Sequence, residues 1–242
     1  MIDEKDIKDI FGKLKGYLRA QIDMGFIPPP LSSEVLQYLE TDISSSKGGD
    51  WSDEVDTLSR LKTYIMNCSR CKLHVDRTNL VFGEGADDAR LMFVGEAPGR
   101  EEDLTGRPFV GEAGTLLTKI IKAMGLIREE VYICNVVKCR PPKNRDPKED
   151  EIEACLPFLK QQIKTVGPEV ICTLGRISAR TFFGQDFKIS SQRGRWRTYM
   201  ETPVMPTYHP AYLLRNPDAK REVWEDMQKI MKYLGISLKK TD

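Results

Sequence analysis

The sequence predicts an α/β sandwich. Short β-branched runs recur along the chain, segments of helical periodicity separate them, and a conspicuous polar motif follows most runs. Strands separated by helices imply parallel pairing through crossover connections. Ligands of open parallel sheets collect at the carboxyl ends of the strands, so motifs gathered there define a site.

Taken in order, Ile7, Ile10, Phe11, Leu14, Leu18 and Ile22 recur at helical spacing and predict an amphipathic helix. Pro28-Pro29-Pro30 ends that region, and a short helix from Ser33 to Leu39 follows. The polar stretch TDISSSKGGDWSDE reads as a linker. Residues 1–56 are therefore a helical extension and residues 57–242 the compact domain. Within it, Leu91–Val94 is a strand ending in Gly-Glu-Ala-Pro-Gly, and Ala113–Met124 is a helix stopped by Gly125. Val131–Val137 is a strand ending at Lys138-Cys139, and Ile152–Ile163 is helical. Val170–Leu174 is a strand whose following turn, Gly175-Arg176, offers backbone N–H groups to a phosphate at the start of the helix Ile177–Phe183. Pro203–Pro206 leads into Thr207-Tyr208-His209-Pro210. Val223, Trp224, Met227, Ile230, Met231 and Leu234 form the apolar face of a last helix.

Of the 242 residues, 40% are hydrophobic and 30% charged, as in ordinary globular proteins. No run of 18 apolar residues exists to span a membrane, and the acidic start MIDEKDIKDI is unlike a secretory signal. A cytoplasmic protein without a membrane partner is expected. The near balance of 37 Lys+Arg against 36 Asp+Glu hides an asymmetry. Residues 1–60 carry a net charge of −5 and the remainder +6. Lys188–Arg221 holds seven basic residues against Glu201 and Asp218, which suits either an anion footprint or a solvated surface.

Six cysteines without an export signal favour metal or redox chemistry over a disulfide scaffold. Cys68-x2-Cys71 places two thiolates on one tight turn, and Cys139 and Cys155 bracket a Pro-rich loop that runs into a helix. Four thiolates suit a tetrahedral zinc or an iron–sulfur cluster, and spacing does not choose between them. Cys134 and Cys172 lie in apolar runs and read as core.

Singly, the remaining motifs have bland explanations. GEAPG is a turn, Phe109 packs in a core, Asn135 caps a strand end, and a lone His209 is more often structural than catalytic. Together, and in this order, Cys68-x2-Cys71, GEAPGREED (Gly95–Asp103), GRPFVG (Gly106–Gly111), NVVKCRPPKNR (Asn135–Arg145), Cys155 and HPAYLLR (His209–Arg215) resemble the uracil-DNA glycosylase superfamily. More narrowly they resemble its iron–sulfur-containing family 4 of bacteria and archaea, over Leu61 to Gly235.

The resemblance implies a three-layer α/β/α sandwich around a four-stranded parallel sheet. It implies that Cys68, Cys71, Cys139 and Cys155 hold a structural [4Fe–4S] cluster. The implied reaction is hydrolysis of the N-glycosidic bond of a flipped uracil in single- or double-stranded DNA, by a monomer and without a covalent intermediate. His209 would donate to uracil O2, Phe109 would stack on the base, and Asn135 would pair with the O4 and N3–H edge. Gly95, Glu96, Ala97 and Pro98 would complete the pocket. Well-known relatives place an Asp where this chain has Ala97, so Glu96, Glu102 and Asn144 become the candidates for positioning water. Arg193, Arg195, Arg197 and Arg215 would meet phosphates, and Leu213 would fill the gap left by the flipped base. A covalent branch of the superfamily uses a loop histidine that SSQRGRW lacks. A non-catalytic nucleic-acid-binding module and a ferredoxin are the competing classes; the intact His209, Asn135 and Phe109 oppose the first and the scattered cysteines the second. Residues 1–56 are left to dock on the domain or on a protein partner.

Overall fold

The computed structural model describes residues 56–237. The predicted helices over residues 7–39 and the linker after them lie outside that range. The first described helix, α1 (Leu58–Ile65), is capped by the Thr57 hydroxyl, which accepts from the Arg60 N–H. The remaining order is β1 (Glu84–Gly85), β2 (Leu91–Gly95), α2 (Arg100–Thr105), α3 (Glu112–Ala123), β3 (Tyr132–Asn135), α4 (Glu149–Val166), β4 (Val170–Leu174), α5 (Arg176–Phe183), α6 (Ile189–Gln192), β5 (Arg197–Tyr199), β6 (Thr202–Thr207), α7 (Pro210–Arg215) and α8 (Lys220–Leu234).

The strands form one sheet in the order β1-β3-β2-β4-β6-β5. Its centre, β3-β2-β4-β6, is parallel, as anticipated. Two short antiparallel edge strands, β1 and β5, extend the expected four to six. Neither showed in the sequence, because two or three half-exposed residues carry no periodicity. The central strands β2, β3 and β4 are buried along their whole length, which is why their sequences are unbroken apolar runs.

Alternation along the strands assigns the two faces. Leu91, Phe93, Ile133, Cys172 and Met205 share a core with Leu117 and Ile121 of α3 and with Val223, Met227 and Ile230 of α8. Tyr132 points the opposite way, where its hydroxyl accepts a hydrogen bond at 2.9 Å from Gln162 of α4. Helices on both faces give the three layers. Cys134 and Cys172 are fully buried, in keeping with a core role.

The chain runs from β2 outward to β3, returns to β4 on the other side, and continues outward to β6. That reversal opens a crevice at the carboxyl ends of the strands. The segment between α6 and β5 is fixed on α8 through Arg193. Its guanidinium pairs with Asp226 at 2.6 Å and Glu222 at 2.9 Å, and it lies over the Tyr208 ring. Asp226 is fully buried and accepts a second bond from the Thr207 hydroxyl at 2.7 Å. Arg193 therefore does not project toward a phosphate, contrary to the sequence expectation; its charge is used inside the fold. Arg193→Ala should cost about 3–5 kcal/mol by leaving a buried carboxylate unpaired. Urea denaturation checks this, and a loss below about 1 kcal/mol would contradict it.

Candidate active site

A cleft of about 570 Å³ lies at the carboxyl ends of the parallel strands. It gathers Glu96, Ala97 and Pro98 from the β2 end, Asn135 from the β3 end, and His209 from the β6 end, with Phe109 from the connection between α2 and α3. Three of the four strand-end motifs thus line the cleft as read from the sequence, whereas Gly175-Arg176 does not.

Asn135 forms the floor. It is 1% exposed, and among the described residues no group donates to its Oδ1. An unmet buried carbonyl is costly, so the oxygen is suited to a donor entering from the cleft. Gly95 makes the arrangement possible: a Cβ there would lie 2.3 Å from Asn135 Oδ1 and 2.4 Å from Phe109 Cζ. Gly95 is thus a spacer between two functional side chains, not a contact residue in its own right.

Phe109 is 6% exposed and adopts φ 52°, a left-handed conformation that costs a non-glycine residue about 1–3 kcal/mol. Two side chains hold it there. Arg128 donates to the carbonyls of Pro108 and Phe109 at 2.8 and 3.1 Å. Glu102 accepts from the N–H groups of Val110 and Gly111 at 2.9 and 3.0 Å with Oε1, and from Gly99 N–H at 3.1 Å with Oε2. Both Glu102 oxygens are therefore taken. Its expected part in positioning water gives way to stapling the first motif to the Phe109 loop.

The His209 ring lies 5.6 Å from that of Phe109, centroid to centroid. His209 is the N-cap of α7, and its Nδ1 accepts from Ala211 N–H at 3.1 Å. That bond fixes the tautomer, so Nε2 carries the hydrogen. Only part of the ring reaches the cleft. Desolvation, opposed by Glu102 and reinforced by Arg215, lowers its pKa to about 4. His209 is accordingly a neutral donor at physiological pH. Gly175 adopts φ 91°, and a Cβ on it would sit 2.9 Å from His209 Cβ. Its lack of a side chain makes room for the histidine, which is a different role from the expected phosphate turn.

Glu96 is partly buried. Burial, and secondarily the neighbouring Asp146 carboxyl, push its pKa up to about 7, while Arg176 acts the other way. Asn144 lies at φ 54° on the cleft rim, and its Oδ1 accepts from Arg140 Nε at 2.7 Å. Arg195 is exposed and Arg215 lines the cleft, so both are available to an anion. Arg197 differs, lying over the rings of Phe183 and Phe187. Leu213 is a correction: at 1% exposed it packs in the core with α3 and α8. Helical spacing explains why, since Pro210 and Leu213 share the inward face of α7. Tyr212, exposed and stacked on Tyr208 at 4.7 Å, stands at the cleft instead. Asp146, Arg176, Arg128 and Tyr212 were not legible as site residues, because charged or aromatic residues on loops and short helices carry no positional signal.

Cys68 and Cys71 after α1, Cys139 after β3 and Cys155 on α4 line one small cavity with His74 and Lys138. Arg77 donates to Cys139 Sγ at 3.2 Å and to the Cys68 carbonyl at 2.8 Å. Burial raises the Cys155 thiol to about 12 and also pushes Cys71 and Cys139 up. Among the described residues, no three His, Cys, Asp or Glu groups converge tightly enough to hold a single metal ion.

The sheet and its loops thus deliver an orphaned amide oxygen, a neutral imidazole and an aromatic ring to one cleft. The family model for the uracil DNA glycosylase superfamily matches residues 82–228, and the chain belongs to that superfamily. Among curated relatives, the type-4 uracil-DNA glycosylase of Sulfurisphaera tokodaii is 50% identical over 195 residues, covering 77% of this chain and 88% of its own. That of Thermotoga maritima is 49% identical, covering 70% and 91%. A type-5 enzyme of Pyrobaculum aerophilum is 31% identical, covering 48% and 65%.

The neutrality of His209 can be measured directly. Its imidazole signals should titrate near pH 4 in NMR spectra. A midpoint between 6 and 7 would contradict the burial argument.

Proposed function

We propose that this chain excises uracil from DNA by hydrolysing its N-glycosidic bond, releasing free uracil and leaving an abasic site. The orphaned Asn135 Oδ1 carries the reading. Uracil N3–H is the donor it lacks, and the amide NH2 of the same side chain suits uracil O4. Cytosine inverts that pattern at N3 and C4, so it would leave buried polar groups mispaired. The base must first leave the stack, because duplex geometry hides the bond.

Water then attacks C1′ as the C1′–N1 bond breaks, and the bonding pair departs on uracil. Negative charge develops on the base and positive charge on the sugar. Nε2–H of the neutral His209 is placed to donate to uracil O2 as that charge grows, a contribution that typically amounts to about 2.7–4 kcal/mol. Phe109 supports the ring face. Glu96 is the acidic group suited to the water, because its raised pKa sits near working pH. Arg195 and Arg215 would contact the phosphates.

The assay is release of labelled uracil from an oligonucleotide, with strand scission by alkali at the abasic site. Asn135→Ala should abolish most release while affinity for abasic DNA stays within about twofold, since the product has no base edge. Equal loss of both would make Asn135 structural, and no release by the wild type would favour a non-catalytic binding module.

The four cysteines suit a [4Fe–4S] cluster better than a single zinc: they share one cavity without converging on one point. Cys68, Cys71, Cys139 and Cys155 would hold it, with Arg77 supporting the Cys139 thiolate. When bound it supplies a cross-link between the segment before β1 and the loop after β3, with no redox step in the hydrolysis. Anaerobically purified protein should contain about four irons per chain, and Cys155→Ala should lose both iron and thermal stability. One zinc per chain, or normal stability in the variant, would refute the assignment.

A further inference from the structure

Glu96 and Glu102 line the same cleft, six residues apart in one motif, yet the fold treats them oppositely. Glu102 is saturated by three backbone N–H groups. Glu96 has no such donors among the described residues; what its side chain meets is the carboxyl of Asp146. Asp146 lies on the loop after β3, two residues past Asn144, and also lines the cleft. Its Oδ2 pairs with Arg176 Nη2 at 2.5 Å, at the start of α5. Arg145 fixes the loop from the other side, donating to the Asp146 carbonyl at 2.9 Å while its guanidinium grips the fully buried Glu151 at 2.6 and 2.8 Å. The Glu96 backbone is anchored as well, its carbonyl accepting from Val137 N–H at 3.1 Å.

We propose that Asp146 is a positioning residue for Glu96, forming with it a carboxyl pair that aims Glu96 at the attacking water and strengthens it as a base. This rests on the uracil-excision reading above. Burial and the neighbouring Asp146 carboxyl push Glu96 up to about 7, while Arg176, paired with Asp146, acts the other way on Glu96. Below that value Glu96 keeps its proton. Once it is lost, Glu96 accepts a proton from water as the water oxygen bonds to C1′, and the electron pair of the C1′–N1 bond leaves with uracil. The other charged or titratable groups around the cleft are Glu102, Glu112, Arg145, His209, Tyr212 and Arg215. Of these, Glu102 is held by backbone donors, Arg145 by Glu151, and His209 is neutral above about pH 4. Glu96, set beside Asp146 and Arg176, is thus the cleft carboxyl pushed toward neutrality.

The sign follows from the charges. Excision should fall as pH drops through the Glu96 value, because the base becomes protonated. Asp146→Asn removes the like charge, so the acid limb of the single-turnover rate should move down by about one pH unit. Arg176→Gln removes a cation and should move the same limb up. Glu96→Gln should lose the limb and about 100-fold or more in rate. Asp146→Glu should restore the wild-type direction. Thermal melts of each variant establish that it is folded, and an exposed loop carboxylate such as Asp146 tolerates replacement by asparagine. Opposite shifts in Asp146→Asn and Arg176→Gln support the pair, since a merely structural role moves neither limb. An unmoved limb in both, or a limb that persists in Glu96→Gln, overturns it. Wild-type release of uracil at pH 8 is the reference. If the wild type releases none, the excision reading itself fails, a result distinct from a wild type whose limb ignores Asp146.

Discussion

Close approach between backbone and side chain at the end of β2 governs the rest of this site. With hydrogen in place of a Cβ, Gly95 lets the Asn135 amide and the Phe109 ring share a space that any other residue would fill. Gly175 does the same beneath His209 from the neighbouring strand. Parallel strands about 4.8 Å apart bring the three side chains within reach of one flat ring. The site is thus built on the rigid centre of the sheet, and loops contribute the clamps around it.

Those clamps show how identical chemistry is given different work by surroundings. A carboxylate facing backbone N–H groups becomes a strut, as Glu102 does across the first motif and the Phe109 loop. A carboxyl facing another carboxyl in a partly desolvated cleft is pushed up instead, to about 7 for Glu96. Arg193 and Arg195 divide in the same way two residues apart: one is consumed by Asp226 and Glu222, the other stays in solvent. Net charge along a segment therefore overstates what is available to DNA.

The parallel strands, the helices between them and the strand-end motifs were legible because burial on both faces writes unbroken apolar runs and glycine turns into the chain. Asn135, Phe109 and His209 were legible as a set and only by their resemblance to a family; none declares itself alone. The sequence misled at Leu213, where spacing from His209 suggested exposure and the inward face of α7 enforces burial. It misled at Arg193 and Glu102, whose partners lie 33 and 8 residues away and depend on tertiary contacts. Asp146 and Arg176 meet only after β3 and β4 are laid on either side of β2, a relation no local pattern records.

Lys138 places the two halves of the molecule in mechanical series. Its buried ammonium donates to the Asn135 carbonyl at 2.6 Å and to Gln162 at 2.5 Å, while its own backbone precedes Cys139. Asn135 on the floor of the cleft and Cys139 on the wall of the cysteine cavity are thus two ends of one short, internally braced segment. Oxidative injury to the thiols would therefore be felt on the cleft floor as well as in the cavity.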